Sequence, residues 1–187
     1  MLCIFYIAMF RDFVLIDQNK KKAEEFGRSL GFNEVIFLER TSILKDIKKI
    51  KHLNSKKKDE IIIVDGGNEE INKAAVENKK VDILLSPEPN TKDKLYQRDS
   101  GLNHVLCELA SKNGVAYGIN FNKLLEKDYR LIGKIMQNIR LCRKSKVKIV
   151  FGSFANEIHE MRNVKDLISL ARVLGMTPLE AKNSFLK

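Results

Sequence analysis

Glu60-Ile-Ile-Ile-Val-Asp-Gly66 constrains this chain more than any other stretch. Four consecutive β-branched aliphatics favour extended backbone and leave neither face polar, so the strand they form is buried on both sides. Strands buried on both sides belong to parallel sheets covered by helices. A parallel neighbour needs a crossover, usually a helix, so the flanking sequence should alternate between the two periodicities.

It does. Phe13-Val-Leu-Ile-Asp17 is β-rich, and Asn19 to Leu30 follows with Ala23, Phe26 and Leu30 at helical spacing and Gly31 past its end. Glu34 to Glu39 reads as the second strand. Thr41 is placed to cap a helix that turns Leu44, Ile47 and Ile50 inward. After the third strand at Glu60 comes a helix from about Asn68 to Asn78. Val81 to Ser86 is the fourth strand, closed by Pro87 and Pro89. A long loop then leads to a helix over Gly101 to Asn113, with Gly114 beyond it. Val115 to Asn120 is the fifth strand. Lys127 to Arg143 is a long amphipathic helix with Leu131, Ile135, Ile139 and Cys142 in its apolar stripe, and Arg130, Lys134 and Lys144 on the other side. Lys148 to Ser153 is the sixth strand, and Thr177-Pro-Leu-Glu180 is a capping box with Pro at the first helical position. The fold class is α/β, with parallel strands and right-handed crossovers. Two architectures fit: an open doubly wound sheet, or a small, incomplete (β/α) barrel. Residues 13–187 read as one domain and residues 1–12 as an N-terminal extension. Met1-Leu-Cys-Ile-Phe-Tyr-Ile-Ala-Met-Phe10 is too short to span a bilayer and lacks the basic start of a signal peptide; it reads either as an extra strand or as an overhang before a start at Met9.

In a fold of this kind, sites sit at the carboxyl ends of strands. The stretch from Phe151 to Met176 has that form: a strand, then a polar loop holding Asn156, Glu157, His159, Glu160 and Arg162, then a helix capped by Asn163. There is no G-x-x-x-x-G-K-[ST] and no G-x-G-x-x-G, so no phosphate cradle of those types is encoded. There is no G-x-S-x-G. The three histidines, His52, His104 and His159, make no His-x-His pair. The best metal-dependent alternative gathers Asp17, Asp65, Glu157 and His159, and it requires a barrel. Cys3, Cys107 and Cys142 are odd in number and widely spaced, which fits a reducing cytoplasm and core packing.

The positive signal is charge. The chain carries 34 Lys and Arg against 24 Asp and Glu, a net charge of +10. An excess of this size favours a polyanionic partner. Lys45 to Lys58 holds seven lysines against one aspartate, and Arg140 to Lys148 holds five basic residues and no acid. Arg98, Lys123 and Arg162 lie near strand ends and would form one phosphate-binding rim if those ends converge. Arg140 and Lys144 extend the basic face of the long helix.

Arg98-Asp-Ser-Gly-Leu-Asn-His-Val-Leu106, the helix ending Leu-Cys-Arg-Lys144, Lys148-Ile-Val-Phe-Gly-Ser-Phe-Ala155, Met161-Arg162, Val164-Lys-Asp-Leu167, Leu174-Gly-Met176 and Glu180-Ala-Lys182 together resemble ribonuclease P protein component 3 of archaea and its eukaryotic relatives. The resemblance covers about residues 13 to 187. It implies a TIM-barrel-like fold similar to PHP phosphoesterases without their metal ligands. It implies a subunit of the ribonucleoprotein that cleaves the 5′ leader from precursor tRNA, an endonuclease whose RNA, with Mg²⁺, is the catalyst. On that reading the isolated chain is inactive and binds no cofactor itself. Its partners are ribonuclease P RNA, precursor tRNA, protein component 2 and the other subunits. It is cytoplasmic and has no membrane role. Matched by position, Arg98, Arg162 and Lys182 are the residues expected to contact RNA. The alternative is a free-standing metal-dependent phosphoesterase on a similar barrel.

Overall fold

Short runs of β-branched and aliphatic residues form strands that lie parallel to their neighbours throughout. The computed structural model describes residues 9–39, 42–57, 60–89, 99–125 and 129–185. In chain order the elements are β1 (Arg11–Val14), α1 (Lys20–Ser29), β2 (Glu34–Phe37), β3 (Ile43–Leu44), α2 (Ile47–Lys51), β4 (Ile63–Asp65), α3 (Glu69–Glu77), β5 (Ile83–Leu85), α4 (His104–Asn113), β6 (Ala116–Asn120), α5 (Phe121–Leu124), α6 (Tyr129–Lys144), β7 (Ile149–Gly152), α7 (Val164–Val173) and α8 (Pro178–Asn183). A 3-10 turn occupies Ile158–Glu160.

Five strands pair in sequence order, β3-β4-β5-β6-β7, and β1 pairs with β2. The two groups meet at a seam. Val14 bridges Ala155 just beyond β7. The Phe154 amide donates to the Phe13 carbonyl (2.8 Å), and the Leu15 amide donates to the Ala155 carbonyl (2.7 Å). The strand order is therefore β2-β1-β7-β6-β5-β4-β3, the cyclic order of a (β/α) barrel. Among the described residues no ladder joins β2 to β3.

Side-chain alternation shows that the sheet curls. Leu38, Ile63, Ile83, Leu85, Ala116, Val150 and Phe154 form one buried cluster, with Phe13, Leu15, Ile36 and Ile43 packed against it. These come from all seven strands or the residues that directly follow them, so the first and last strands face a common interior. The alternate residues Val64, Leu84, Tyr117, Ile119 and Phe151 point outward into the larger cluster beneath the helices. Of the two predicted architectures, the described residues take the barrel-like one. Gly118 belongs to the inner face: a Cβ there would lie 2.6 Å from a methyl of Ile83.

The seam rests on a buried carboxylate. Asp12 is fully buried and accepts from the Ser153 amide (2.7 Å) and the Ser153 hydroxyl (2.6 Å). Below that point the tail fills the gap between the two strands. The Arg11 amide donates to the Phe185 carbonyl (2.8 Å), and the Phe151 amide donates to the Ser184 carbonyl (3.0 Å). The Phe185 ring lies 5.3 Å from that of Phe151.

Several expectations need correction. The first strand begins at Arg11, not Phe13, and Asp12 is part of the barrel. The helix expected from Thr41 is two elements: Ile43 and Leu44 pair with Ile63 and Val64 as an edge strand, and α2 is capped by Asp46 through the Lys48 amide (2.8 Å). Leu44 thus joins a ladder instead of a helical stripe, and the strands among the described residues number seven. Phe121–Leu124 forms a short helix after β6 that periodicity did not indicate. Lys134 is not on the solvent side of α6 but 2% exposed. Thr41 and residues 1–8 lie outside the described residues.

Burial raises the Asp12 carboxyl from 3.8 to about 6, against the lowering effect of hydrogen bonds from Ser153 and Phe13. The folded protein therefore holds this proton more tightly than the unfolded chain. The stability contributed is complete below about pH 4 and is lost as pH rises through about 6, on the order of 3 kcal/mol by linkage. Asp12→Asn keeps the oxygen acceptor and cannot ionise. Urea unfolding between pH 4 and 7 is expected to show wild type losing stability relative to Asp12→Asn; parallel profiles would remove Asp12 as the cause.

Candidate nucleic-acid interface

The carboxyl ends of the strands carry the loops on which a barrel protein builds its site. The loop after β5 is held by buried polar side chains. Glu88 is 3% exposed and accepts from the Tyr117 hydroxyl and from Asn138 Nδ2 (2.8 Å). Asn138, also buried, donates to the Ser100 carbonyl (2.8 Å). Lys134 Nζ donates to the Pro89 carbonyl (2.7 Å). Asn72 of α3 donates to the carbonyls of Pro87 (2.8 Å) and Gly101 (3.0 Å). Burial raises the Glu88 pKa, opposed by the bonds from Tyr117 and Asn138 and by the charge of Lys123; burial, with the charge and hydrogen bond of Glu88, raises Tyr117 well above its usual range. A carboxyl so enclosed serves architecture: it ties β5, β6 and α6 to the two described ends of the 89–99 segment.

The loop after β7 is organised by Glu160. Its carboxylate accepts from Asn122 Nδ2 (2.9 Å), the Asn156 amide (2.7 Å) and the Glu157 amide (3.4 Å). Together with Glu157 it forms a capping box around the 3-10 turn. Glu157 and His159 pair with each other at 3.3 Å on the exposed side. Arg162 Nη1 donates to the carbonyls of His159 (2.7 Å) and Met161 (3.0 Å), and its guanidinium carbon lies 5.8 Å from the centre of the Phe121 ring. The stacking face and backbone bonds hold the guanidinium in place while Arg162 stays part-exposed. Phe121 opens α5, which also carries Lys123, so Arg162 and Lys123 share the carboxyl rim.

The six basic residues singled out in the sequence do not form one patch. Lys123 and Arg162 are at the carboxyl end, whereas Arg98 lies outside the described residues. Arg140 and Lys144 are exposed near the end of α6, just before β7 begins, so they lie at the amino end of the sheet. Lys182 is exposed on α8, which Arg143 of α6 clasps through Glu180 (2.6 and 2.7 Å). That clasp lowers the Glu180 carboxyl to about 2. The lysine run from Lys45 is partly neutralised: Lys45 pairs with Asp65 (3.0 Å) and Lys56 with Asp82 (2.5 Å).

The metal-dependent alternative needs Asp17, Asp65, Glu157 and His159 to converge. Among the described residues no three His, Cys, Asp or Glu side chains form a group able to hold a metal ion. Sequence reasoning missed the Glu88, Asn138 and Lys134 network. A signal existed, since Asn138 falls among Ile135, Ile139 and Cys142 on the apolar face of α6, and Lys134 lies one turn before Asn138. Nothing local marked Asp12 or Glu88.

A parallel barrel whose end loops are pinned by buried polar groups, and which offers arginine and lysine at both ends, defines a basic (β/α)-barrel protein. The RNase P subunit p30 family model matches residues 36–187, and the chain belongs to that family. It is 38% identical over 126 residues to ribonuclease P protein component 3 of Methanosarcina acetivorans, covering 65% of this chain and 50% of that one. To the protein of the same name from Methanocaldococcus jannaschii it is 34% identical over 171 residues, covering 89% and 68%. The chain thus spans about half the length of its Methanosarcina relative. A chain in a cryo-EM structure of archaeal ribonuclease P with mature tRNA superposes with a TM-score of 0.69 at 26% identity, covering 93% of this chain and 86% of that one.

Gly101 carries the tightest contact of the β5 loop. Its φ is +78°, and a Cβ would sit 1.9 Å from the Pro87 carbonyl oxygen. Gly101→Ala is expected to cost about 3 kcal/mol or more, because both backbone strain and a backbone clash follow. Denaturant unfolding measures it; a loss below about 1 kcal/mol would mean that the loop is not clamped as described.

Proposed function

We propose that this chain is a protein subunit of ribonuclease P and supports the RNA that removes 5′ leaders from precursor tRNA. The observation that carries the reading is the family match over most of the chain, supported by the superposition on a chain of archaeal ribonuclease P. The chemistry agrees in kind. The exposed cations at both ends of the barrel suit phosphate neutralisation, which positions RNA without reading its sequence. Arg162, stacked and held by backbone carbonyls, suits a bidentate phosphate contact; Lys123 suits a point charge beside it.

On this reading the chain works as one part of a ribonucleoprotein. Its partners are ribonuclease P RNA, precursor tRNA, protein component 2 and the remaining subunits. Endonucleolytic cleavage belongs to the RNA with its Mg²⁺, and the isolated chain turns over no substrate. The chain acts in the cytoplasm; no described helix is long and apolar enough to cross a membrane. In the competing phosphoesterase reading two of the four site residues, Glu157 and His159, pair with each other, whereas Asp65 pairs with Lys45.

Reconstituted pre-tRNA cleavage with the RNA and partner proteins is expected to fall when this chain is omitted. Arg98→Ala, Arg162→Ala and Lys182→Ala should each lower cleavage by roughly tenfold, about 1.4 kcal/mol for one phosphate contact, with thermal unfolding little changed. Full activity in all three variants would refute the site assignment. Turnover of a phosphoester by the chain alone would instead favour the enzyme reading.

A further inference from the structure

A dense run of exposed cations lies at the amino end of the barrel, away from the loops where such folds place their sites. Arg140, Arg143, Lys144, Lys146 and Lys148 fall within nine residues that join α6 to β7, and Lys182 lies on the adjoining α8. Only Arg143 is ion-paired with a described residue, to Glu180. The other five are exposed. Lys146 is exposed and has a left-handed backbone (φ 57°) in the turn that ends the helix. Between these elements lies a groove of about 430 Å³, with Arg143, Lys148, Glu180 and Asn183 in its lining.

Helix capping does not account for this cluster. The carboxyl end of a helix carries about half a negative charge, which one or two cations satisfy. Of the six cations here, only Arg143 has an ion-pair partner among the described residues, Glu180, so capping leaves most of the cluster unexplained. The Arg143–Glu180 clasp, with a further bond from Arg143 to the Gly175 carbonyl (2.7 Å), fixes α8 against α6 and so sets the two walls of the groove.

We propose that this basic surface binds an RNA phosphodiester backbone, with Lys148 in the groove and Lys144 and Lys182 exposed on the two helices beside it as phosphate contacts, and Arg143 as a positioning residue, so that the chain bridges two RNA segments. The second segment is held at the opposite rim by Arg162 and Lys123. This rests on the ribonuclease P reading and adds a two-ended geometry to it. The two surfaces act separately. From Lys148 to Ser153 the chain rises about 16 Å at strand geometry, beyond the roughly 8–10 Å over which surface charges interact at physiological salt. A single backbone lying on the rim does not satisfy the groove.

The test uses the full chain and ribonuclease P RNA, with affinity measured across a KCl series. Each lost phosphate contact lowers the slope of log K against log[salt] by about 0.7 to 0.9. The triple variant Lys144→Gln, Lys148→Gln, Lys182→Gln is expected to lower the slope by about 2. The double variant Lys123→Gln, Arg162→Gln should lower it by about 1.5, and the combination by the sum. Wild-type protein should also bring two differently labelled RNA duplexes together in a ternary complex, which the triple variant loses while keeping binary binding. If the triple variant retains the wild-type slope while the double variant lowers it, the groove is not an RNA site and the subunit reading stands. A triple variant that keeps its slope but loses a protein partner overturns the proposal in favour of an acidic protein surface. No salt-dependent RNA binding by the wild type defeats the subunit reading itself.

Discussion

One buried carboxylate braces the seam between the two groups of strands. Asp12 reaches from β1 to take both the amide and the hydroxyl of Ser153, at the point where β7 becomes a loop. Remove that pair and β1–β2 keeps its backbone bonds at Phe13 and Leu15 to the residues just beyond β7, but without a polar side-chain anchor. The Phe13–Phe154 ring stack, at 5.9 Å and nearly parallel, packs beside it. The anchor also sets the start of the loop that carries Glu160 and Arg162. Burying an acid costs free energy unless hydrogen bonds offset it. Asp12 receives three such bonds, and its pKa is still raised.

The same economy recurs at the other loops. Glu88, Asn138, Asn72 and Lys134 are buried polar side chains whose partners include loop carbonyls, one another and the Tyr117 hydroxyl. They replace hydrophobic packing where the chain leaves the sheet and where backbone groups need partners. Low-dielectric surroundings strengthen these bonds and make their loss expensive. The carboxyl face is therefore a rigid platform built from polar groups, with its cations outside. What resembles a catalytic constellation in the sequence, Glu157, His159 and Glu160, is mostly self-satisfied loop structure.

The apolar layers show how far pattern carries. The run Ile61 to Val64 indicated a strand buried on both faces, and Ile63 and Val64 do point into two different clusters. The capping box at Thr177 and Glu180 was legible because it is local, with Glu180 returning to the Thr177 amide at 2.7 Å. Asn163 likewise caps α7 through the Lys165 amide at 2.9 Å. The edge strand at Ile43 and Leu44 was not legible. Two residues carry no periodicity, and only the ladder to β4 makes them a strand. Lys134 was misplaced for a related reason: helical phase alone put it with Arg130 and Lys144, and a carbonyl from Pro89, forty-five residues earlier, draws it inward.

Sequence alone determined that the chain is α/β with parallel strands, that its surface is basic, and which segments mark the ribonuclease P family. Those properties are written in hydrophobic period, composition and residue order, which need no knowledge of distant contacts. Only the folded chain decided how the ends of the sheet meet and where each charge sits. Asp12 and Ser153 are 141 residues apart, and no local rule pairs them. Arg162 and Arg140 looked equivalent as letters. The turn of the chain through β7 puts one at each end of the barrel, because a strand separates whatever precedes it from whatever follows.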